Sequence, residues 1–176
     1  MNETIAAIAT AQGGALSVIR VSGEEAITCV NRIFSKDLLN APGYSLHYGE
    51  IREGDEPVDE VLVSVFRAPR SYTGENMVEI SGHGGVFVTL KVLSLVLGAG
   101  ARMARRGEFT ERAFLNGKMD LSQAESVNDL VKAGDEVNAK SAVHGLKGSV
   151  KKLLEPLVDS LSQIVAMIEV NIDYPE

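Results

Sequence analysis

Within Arg105 to Leu121 (RRGEFTERAFLNGKMDL), Gly107 and Gly117 bracket about a helix's length of chain and separate two kinds of sequence pattern. Phe109, Ala113 and Phe114 recur at helical spacing, which predicts a short helix with one apolar stripe turned inward. Asn116-Gly117 is a stop signal, because glycine tolerates the left-handed conformation that closes a helix. Asp120 offers a fresh N-cap for the next helix, with Ser122 and Glu125 as an alternative capping box. Lys118 therefore falls between two helical segments, where a cation is either solvated or aimed at an anionic group. Before this segment the pattern is mixed α and β; after it the pattern is all-helical.

Upstream, Thr4 to Thr10 (TIAAIAT) reads as a short buried strand, broken by Gly13-Gly14. Ala15 to Val21 (ALSVIRV) is a second strand, rich in β-formers. Leu16, Val18 and Arg20 share one of its faces, and Ser17, Ile19 and Val21 the other. Arg20 is then a cation on an otherwise apolar face. Either it snorkels from a strand end to water, or it partners a carboxylate or phosphate, for which the planar guanidinium is suited. Ser22 with Glu25 makes a candidate capping box for a helix whose stripe is Ala26, Ile27, Val30, Ile33 and Phe34. Cys29 lies in that helix with no His beside it, and reads as a small buried side chain rather than a nucleophile.

Tyr44 to Arg52 and Asp59 to Phe66 form a hairpin across the turn chemistry of Gly54-Asp55-Glu56-Pro57. Arg67 to Asn76 (RAPRSYTGEN) is an irregular polar loop, of the kind that carries function; a plain connector fits the same residues. In the next strand, Met77 to Ser81, Val78 and Ile80 face one way and Met77 and Glu79 the other. Glu79 either caps an edge strand or accepts hydrogen bonds from the ring N–H groups of a ligand. Gly82-His83-Gly84-Gly85 precedes an apolar helix, Val86 to Leu97. It lacks the Lys-Ser/Thr pair of a Walker loop and reads as a tight strand-to-helix turn. His83 is a candidate base, but no spacing supplies it with a nucleophile. Ala101 to Arg105 is a last strand.

Downstream, Ala124, Val127, Leu130 and Val131 mark one helix, and Ala139, Ala142, Val143, Leu146 and Val150 a second. Leu153, Leu157, Leu161, Ile164, Val165 and Ile168 make a long third stripe, with a break allowed at Gly148 and a kink at Pro156. So few helices leave that stripe incompletely covered. With the abrupt close at Asp173-Tyr174-Pro175-Glu176, this suggests a missing packing partner, either a second subunit or later residues of a longer protein.

The chain of 176 residues, 45% hydrophobic and 23% charged, can bury a core as one large domain or two small ones. Its net charge of −7 gives no global basic field to hold nucleic acid unaided. A local basic patch around Arg102, Arg105, Arg106 and Arg112 is the one basic candidate. A single cysteine excludes an intrachain disulfide and a Cys-cluster metal site, and fits a reducing compartment. The N-terminus lacks a signal-peptide pattern, and no apolar run approaches the roughly 20 residues of a spanning helix. A soluble, cytoplasmic chain is expected.

Together, TIAAIAT, GGALSVIRVSG, SYTGENMVEISGHGG and RGEFTERAFLNGKMDLSQAESVNDLVKA occur in the order of one family. They resemble the N-terminal part of the MnmE/TrmE tRNA-modifying GTPases, and the helical tail through NIDYPE is similar to that family's helical domain. The chain departs from the family pattern at Ala11-Gln12, at Asn76 in place of Asp, and at Arg106 in place of Pro.

The resemblance implies an α+β fold. A mixed-sheet, folate-binding and dimerising domain, related to the tetrahydrofolate-binding part of aminomethyltransferases, would span residues 1–118. The first half of a helical domain would span residues 119–176. The family's G domain, which would bind GTP with Mg2+ and K+, and its C-terminal Cys-x-Gly-Lys motif have no counterpart in this sequence, so an N-terminal fragment is implied. By motif position, Arg20, Glu79 and Lys118 fall on the family's ligands for 5-formyltetrahydrofolate or a related tetrahydrofolate. Implied partners are a second copy of the chain, the flavoprotein MnmG and tRNA, with no membrane. The implied task is C5 aminomethyl or carboxymethylaminomethyl modification of wobble uridine. In it this part holds the carbon donor without hydrolysing GTP, and no metal or catalytic residue is expected within it.

A reading from another class is a structural scaffold that dimerises and docks a partner without ligand affinity. A free-standing aminomethyltransferase-like enzyme ranks below both, because no nucleophile–base pair can be built from Cys29 and the histidines.

Overall fold

The computed structural model describes residues 3–173; Tyr174, Pro175 and Glu176, part of the abrupt close, lie outside them. The chain divides into two compact units, Met1–Lys118 and Met119–Glu176. In the first, strands β1 (Ile5–Ile8), β2 (Leu16–Ser22), β3 (Ser45–Glu53), β4 (Glu56–Phe66), β5 (Met77–His83) and β6 (Arg102–Met103) form one sheet in the order β3-β4-β5-β2-β1-β6. Every neighbouring pair is antiparallel except β1 and β6, which run parallel. Helices α1 (Ala26–Asn31), α2 (Val86–Gly98) and α3 (Glu108–Leu115) complete the unit, making it a mixed α+β fold.

Strand alternation decides which face is the core. Ile19 and Val21 of β2, Val61, Val63 and Val65 of β4, and Val78 and Ile80 of β5 are at most 2% exposed and pack with Val30, Val92 and Val96 of α1 and α2. Odd and even positions of a strand point to opposite faces. Arg20 and Glu79 therefore stand on the face away from that core. The glycine turn before α2 is a close-packing device: a Cβ at Gly84 would overlap the backbone of Gly14, and Gly84 N–H bonds Ala15 O at 3.1 Å.

Local capping logic failed at Ser22. It ends β2, and its buried hydroxyl bonds Thr73 Oγ1 at 2.7 Å and Glu75 Oε2 at 2.8 Å. Helix α1 starts later, with no side-chain cap. Tertiary partners outweighed the capping box because Ser22 is continuous with a strand paired along its length to β5. The predicted strand Ala101–Arg105 shrinks to Arg102–Met103 at the sheet edge.

In the second unit, Asp120 caps α4 (Leu121–Lys132). Its carboxylate accepts from Gln123 N–H at 2.8 Å, and Gln123 Oε1 accepts from Asp120 N–H at 2.9 Å. The alternative Ser122–Glu125 box is not used. Asp135 caps α5 (Glu136–Leu146) by accepting from Asn138 N–H. Helices α4 and α5 approach closely, since a Cβ at Gly145 would overlap the Ser126 hydroxyl. Gly148, at φ 72°, makes the predicted break before α6 (Ser149–Asp173), which continues through Pro156. The apolar side chains Leu153, Leu157, Leu161, Ile164, Val165 and Ile168 on α6 are exposed. No helix among the described residues is long and apolar enough to cross a membrane.

Candidate functional site

Strand register places Arg20 directly opposite Glu79. The guanidinium donates from Nε to Glu79 Oε1 at 2.8 Å, and its Nη2 stands 2.7 Å from the same oxygen as an ion pair. Among the described residues no donor reaches Glu79 Oε2. Both side chains are about a quarter exposed, at 27% and 23%. Of the two readings of Arg20, the structure thus selects a carboxylate partner. Two rings lie over the same guanidinium: Tyr72, with its centroid 5.2 Å from Cζ, and Phe109, at 5.6 Å. Tyr72 comes from the polar loop 67–76 and Phe109 from the first turn of α3. Their elements are tied by a 2.9 Å hydrogen bond between Tyr72 Oη and Thr110 Oγ1.

The Gly117 stop takes Schellman form. Gly117 N–H bonds Phe114 O at 3.0 Å, Lys118 N–H bonds Ala113 O at 2.8 Å, and Gly117 has φ 68°. This directs the chain back to the loop, where exposed Lys118 donates from Nζ to Pro69 O at 3.0 Å. Asn116 Nδ2 donates to Thr73 O at 2.8 Å. Loop 67–76 thus meets Arg20 through Tyr72 and Lys118 through Pro69. Arg20 and Glu79 are in direct contact, whereas Lys118 is held by a backbone carbonyl of the loop.

Helix α3 corrects the predicted stripe. Phe114 is 40% exposed, and the inward positions are Ala113 and two charged residues, Glu108 and Arg112, at 1% and 2%. Arg102 grips Glu108 from both terminal nitrogens, at 2.9 and 2.6 Å, and Arg105 N–H adds a bond at 2.7 Å. The Arg102 pairing, chiefly, holds the Glu108 carboxyl down to about 2 against the opposing effect of burial. Arg112 bonds both oxygens of Glu75 at 3.1 Å, Glu3 O at 2.8 Å and Glu108 at 3.4 Å. Arg105 also pairs with Glu111 at 2.9 Å. The candidate basic patch is therefore largely neutralised, because Arg102, Arg105 and Arg112 each have carboxylate partners.

His83 pairs with Asp59 through Nδ1 at 2.6 Å. That hydrogen bond raises the imidazole pKa above its ordinary value. Ser17 Oγ bonds the backbone carbonyl of His83 rather than its ring, so no nucleophile–base pair forms there.

The family profile described as GTP-binding protein TrmE N-terminus matches residues 4–118, and the profile described as MnmE helical domain matches residues 121–176. The chain belongs to the MnmE/TrmE family. It corresponds to the N-terminal region of MnmE/TrmE proteins. Three relatives named tRNA modification GTPase MnmE illustrate the match. The protein of Bacillus thuringiensis (strain Al Hakam) is 49% identical over 99% of this chain and 39% of its own length. That of Carboxydothermus hydrogenoformans is 50% identical over 100% of this chain and 40% of its own. That of Lacticaseibacillus paracasei is 48% identical over 99% and 38%. The chain thus spans about two fifths of the MnmE relatives it matches.

Tyr72, Glu75, Phe109 and Arg112 carry no individual sequence signal as contributors around the Arg20–Glu79 pair. Only the polar density of loop 67–76 and the charged residues interrupting the α3 stripe pointed to them.

Proposed function

We propose that this MnmE/TrmE region binds a tetrahydrofolate one-carbon donor at the Arg20–Glu79 pair, with Lys118 as a further ligand. The observation that carries the proposal is that Glu79 keeps Oε2 open as an acceptor while Arg20 holds Oε1. A pterin presents ring N–H donors and a folate tail presents carboxylates. A carboxylate with a free oxygen suits the first, and the cations Arg20 and Lys118 suit polar or anionic groups. The Tyr72 and Phe109 rings beside the pair add apolar surface of the kind that lines small-molecule sites. When bound, the tetrahydrofolate supplies the one-carbon unit; the chain's own residues bind and orient it.

In this reading the complete protein uses that unit, with MnmG, to modify C5 of wobble uridine in tRNA, and its GTP hydrolysis belongs to a G domain. The relatives' name supports the tRNA-modifying and GTPase parts. A second copy of the chain is the expected partner of the first unit. In support, the β3–β4 hairpin presents Leu46, Tyr48 and Leu62 to solvent, with Tyr48 in register with Leu62. Calorimetric titration with 5-formyltetrahydrofolate tests the site: binding by the unaltered chain, lost in Glu79→Ala, is expected. Equal binding by both would remove Glu79 from it. Sedimentation of the chain tests the dimer.

A further inference from the structure

The two charged side chains most deeply buried in the first unit, Glu108 and Arg112, lie on α3, the helix that carries Phe109. Arg112 is 2% exposed, and it joins the elements that carry the two rings. Toward loop 67–76 it holds both oxygens of Glu75, whose Oε2 is also held by Ser22 at the end of β2. Within its own helix α3, which carries Phe109, it meets Glu108 one turn earlier at 3.4 Å. Toward β1 it holds the carbonyl of Glu3. Tyr72 and Phe109 are each brought within 6 Å of the Arg20 guanidinium by elements that converge on this one side chain.

Such burial is not a cheap way to stabilise a fold. Removing a guanidinium and carboxylates from water costs more than a well-packed apolar contact would, and Arg112 Nε is buried with no hydrogen-bond partner among the described residues. What a directional, multi-ended cation supplies and an apolar side chain cannot is fixed spacing between the elements it joins.

We propose that Arg112 is a positioning residue for the Arg20–Glu79 site: by holding Glu75 of loop 67–76 from helix α3 it sets where the Tyr72 and Phe109 rings lie over the Arg20 guanidinium. The role of that site as a folate site rests on the function proposed above; the positioning itself does not. Lys at position 112 keeps the charge but offers a single nitrogen, which cannot hold loop and helix in the same spacing.

The test uses two readouts. In the ligand-free chain, the NMR signal of Arg20 Nε–H reports ring position through ring currents, and its hydrogen bond to Glu79 protects it from exchange. Arg112→Lys is expected to move that signal. It should also weaken binding of 5-formyltetrahydrofolate about tenfold, the loss expected when a multi-donor guanidinium becomes a single ammonium. In a Tyr72→Ala, Phe109→Ala background the same substitution should weaken binding little further, because residues acting through one another are not additive. If Arg112→Lys does not fold, Glu75→Gln breaks the other end of the bridge and is read in the same way. An unmoved Arg20 signal in a folded variant overturns the proposal. So does a full, additive loss of binding in the ring-less background, which is the result a merely structural role gives. Absence of folate binding by the unaltered chain, with the Arg20 signal still moved by Arg112→Lys, would sink the folate reading and leave the positioning role standing.

Discussion

Arg20 and Glu79 face each other in register across β2 and β5, and the guanidinium's hydrogen bond and its close ion-pair contact both fall on one carboxylate oxygen. The pair is part of the sheet's outer face and is open to solvent on one side. Its contribution to stability is therefore small, about 1 kcal/mol or less, and its open acceptor is the feature of interest.

Replacing Arg20 by Lys separates these two roles. The ammonium cannot keep the Nε donation to Oε1 together with a planar group lying over both rings. Affinity for 5-formyltetrahydrofolate is expected to fall about tenfold or more, with a change in unfolding free energy of about 1 kcal/mol or less. Calorimetry and urea denaturation of the same preparation measure the two quantities.

Glu108 makes the first unit acid-sensitive. Its carboxyl is held down to about 2 by Arg102 first, and then by the Arg105 N–H, against the ordinary 4.5. A folded-state value below the unfolded one means that the unfolded chain takes up the proton first as pH falls. The stability Glu108 contributes is then present above about 4.5 and is lost progressively toward about 2. The urea midpoint of the unaltered chain should fall between pH 5 and pH 2.5, and more steeply than that of Glu108→Gln. Parallel slopes would contradict the assignment.

His83 titrates in the opposite sense. The Asp59 hydrogen bond raises its pKa above the ordinary 6.5. Stability from this pair is complete below 6.5 and is lost as pH rises through the higher folded value. An NMR titration of the His83 ring should show a lower pKa in Asp59→Asn than in the unaltered chain.

Gly84→Ala tests the strand-to-helix turn. The added Cβ meets backbone of Gly14 and Leu16, which cannot rotate away as a side chain would. A loss of about 1–3 kcal/mol is expected from such overpacking, read from equilibrium denaturation.

What the sequence revealed followed the range of the interaction. Alternation along β2 and β5 put Arg20 opposite in sense to Ile19 and Val21, and Glu79 opposite to Val78 and Ile80, because side-chain period is a local property of a strand. That the two would meet needed the register between strands 59 residues apart, which no local pattern encodes. The Asn116-Gly117 stop and the Asp120 cap were legible because caps are made by adjacent residues. Ser22 departs from local capping logic for the converse reason: its partners, Thr73 and Glu75, lie in a distant loop. The α3 stripe departs from its hydrophobic pattern. Glu108 and Arg112 are inward because each is met by charges from elsewhere in the fold, a pairing invisible in a helical wheel.

The proposed role of the Arg20–Glu79 pair is to bind a reduced folate. The most direct measurement is calorimetric titration of the chain with 5-formyltetrahydrofolate, with Glu79→Ala and Arg20→Ala run alongside and their folding checked by thermal melting. Saturable binding by the unaltered chain, and loss of that binding in both folded variants, is expected. Undiminished binding in either folded variant, or no binding by the unaltered chain, would contradict that role.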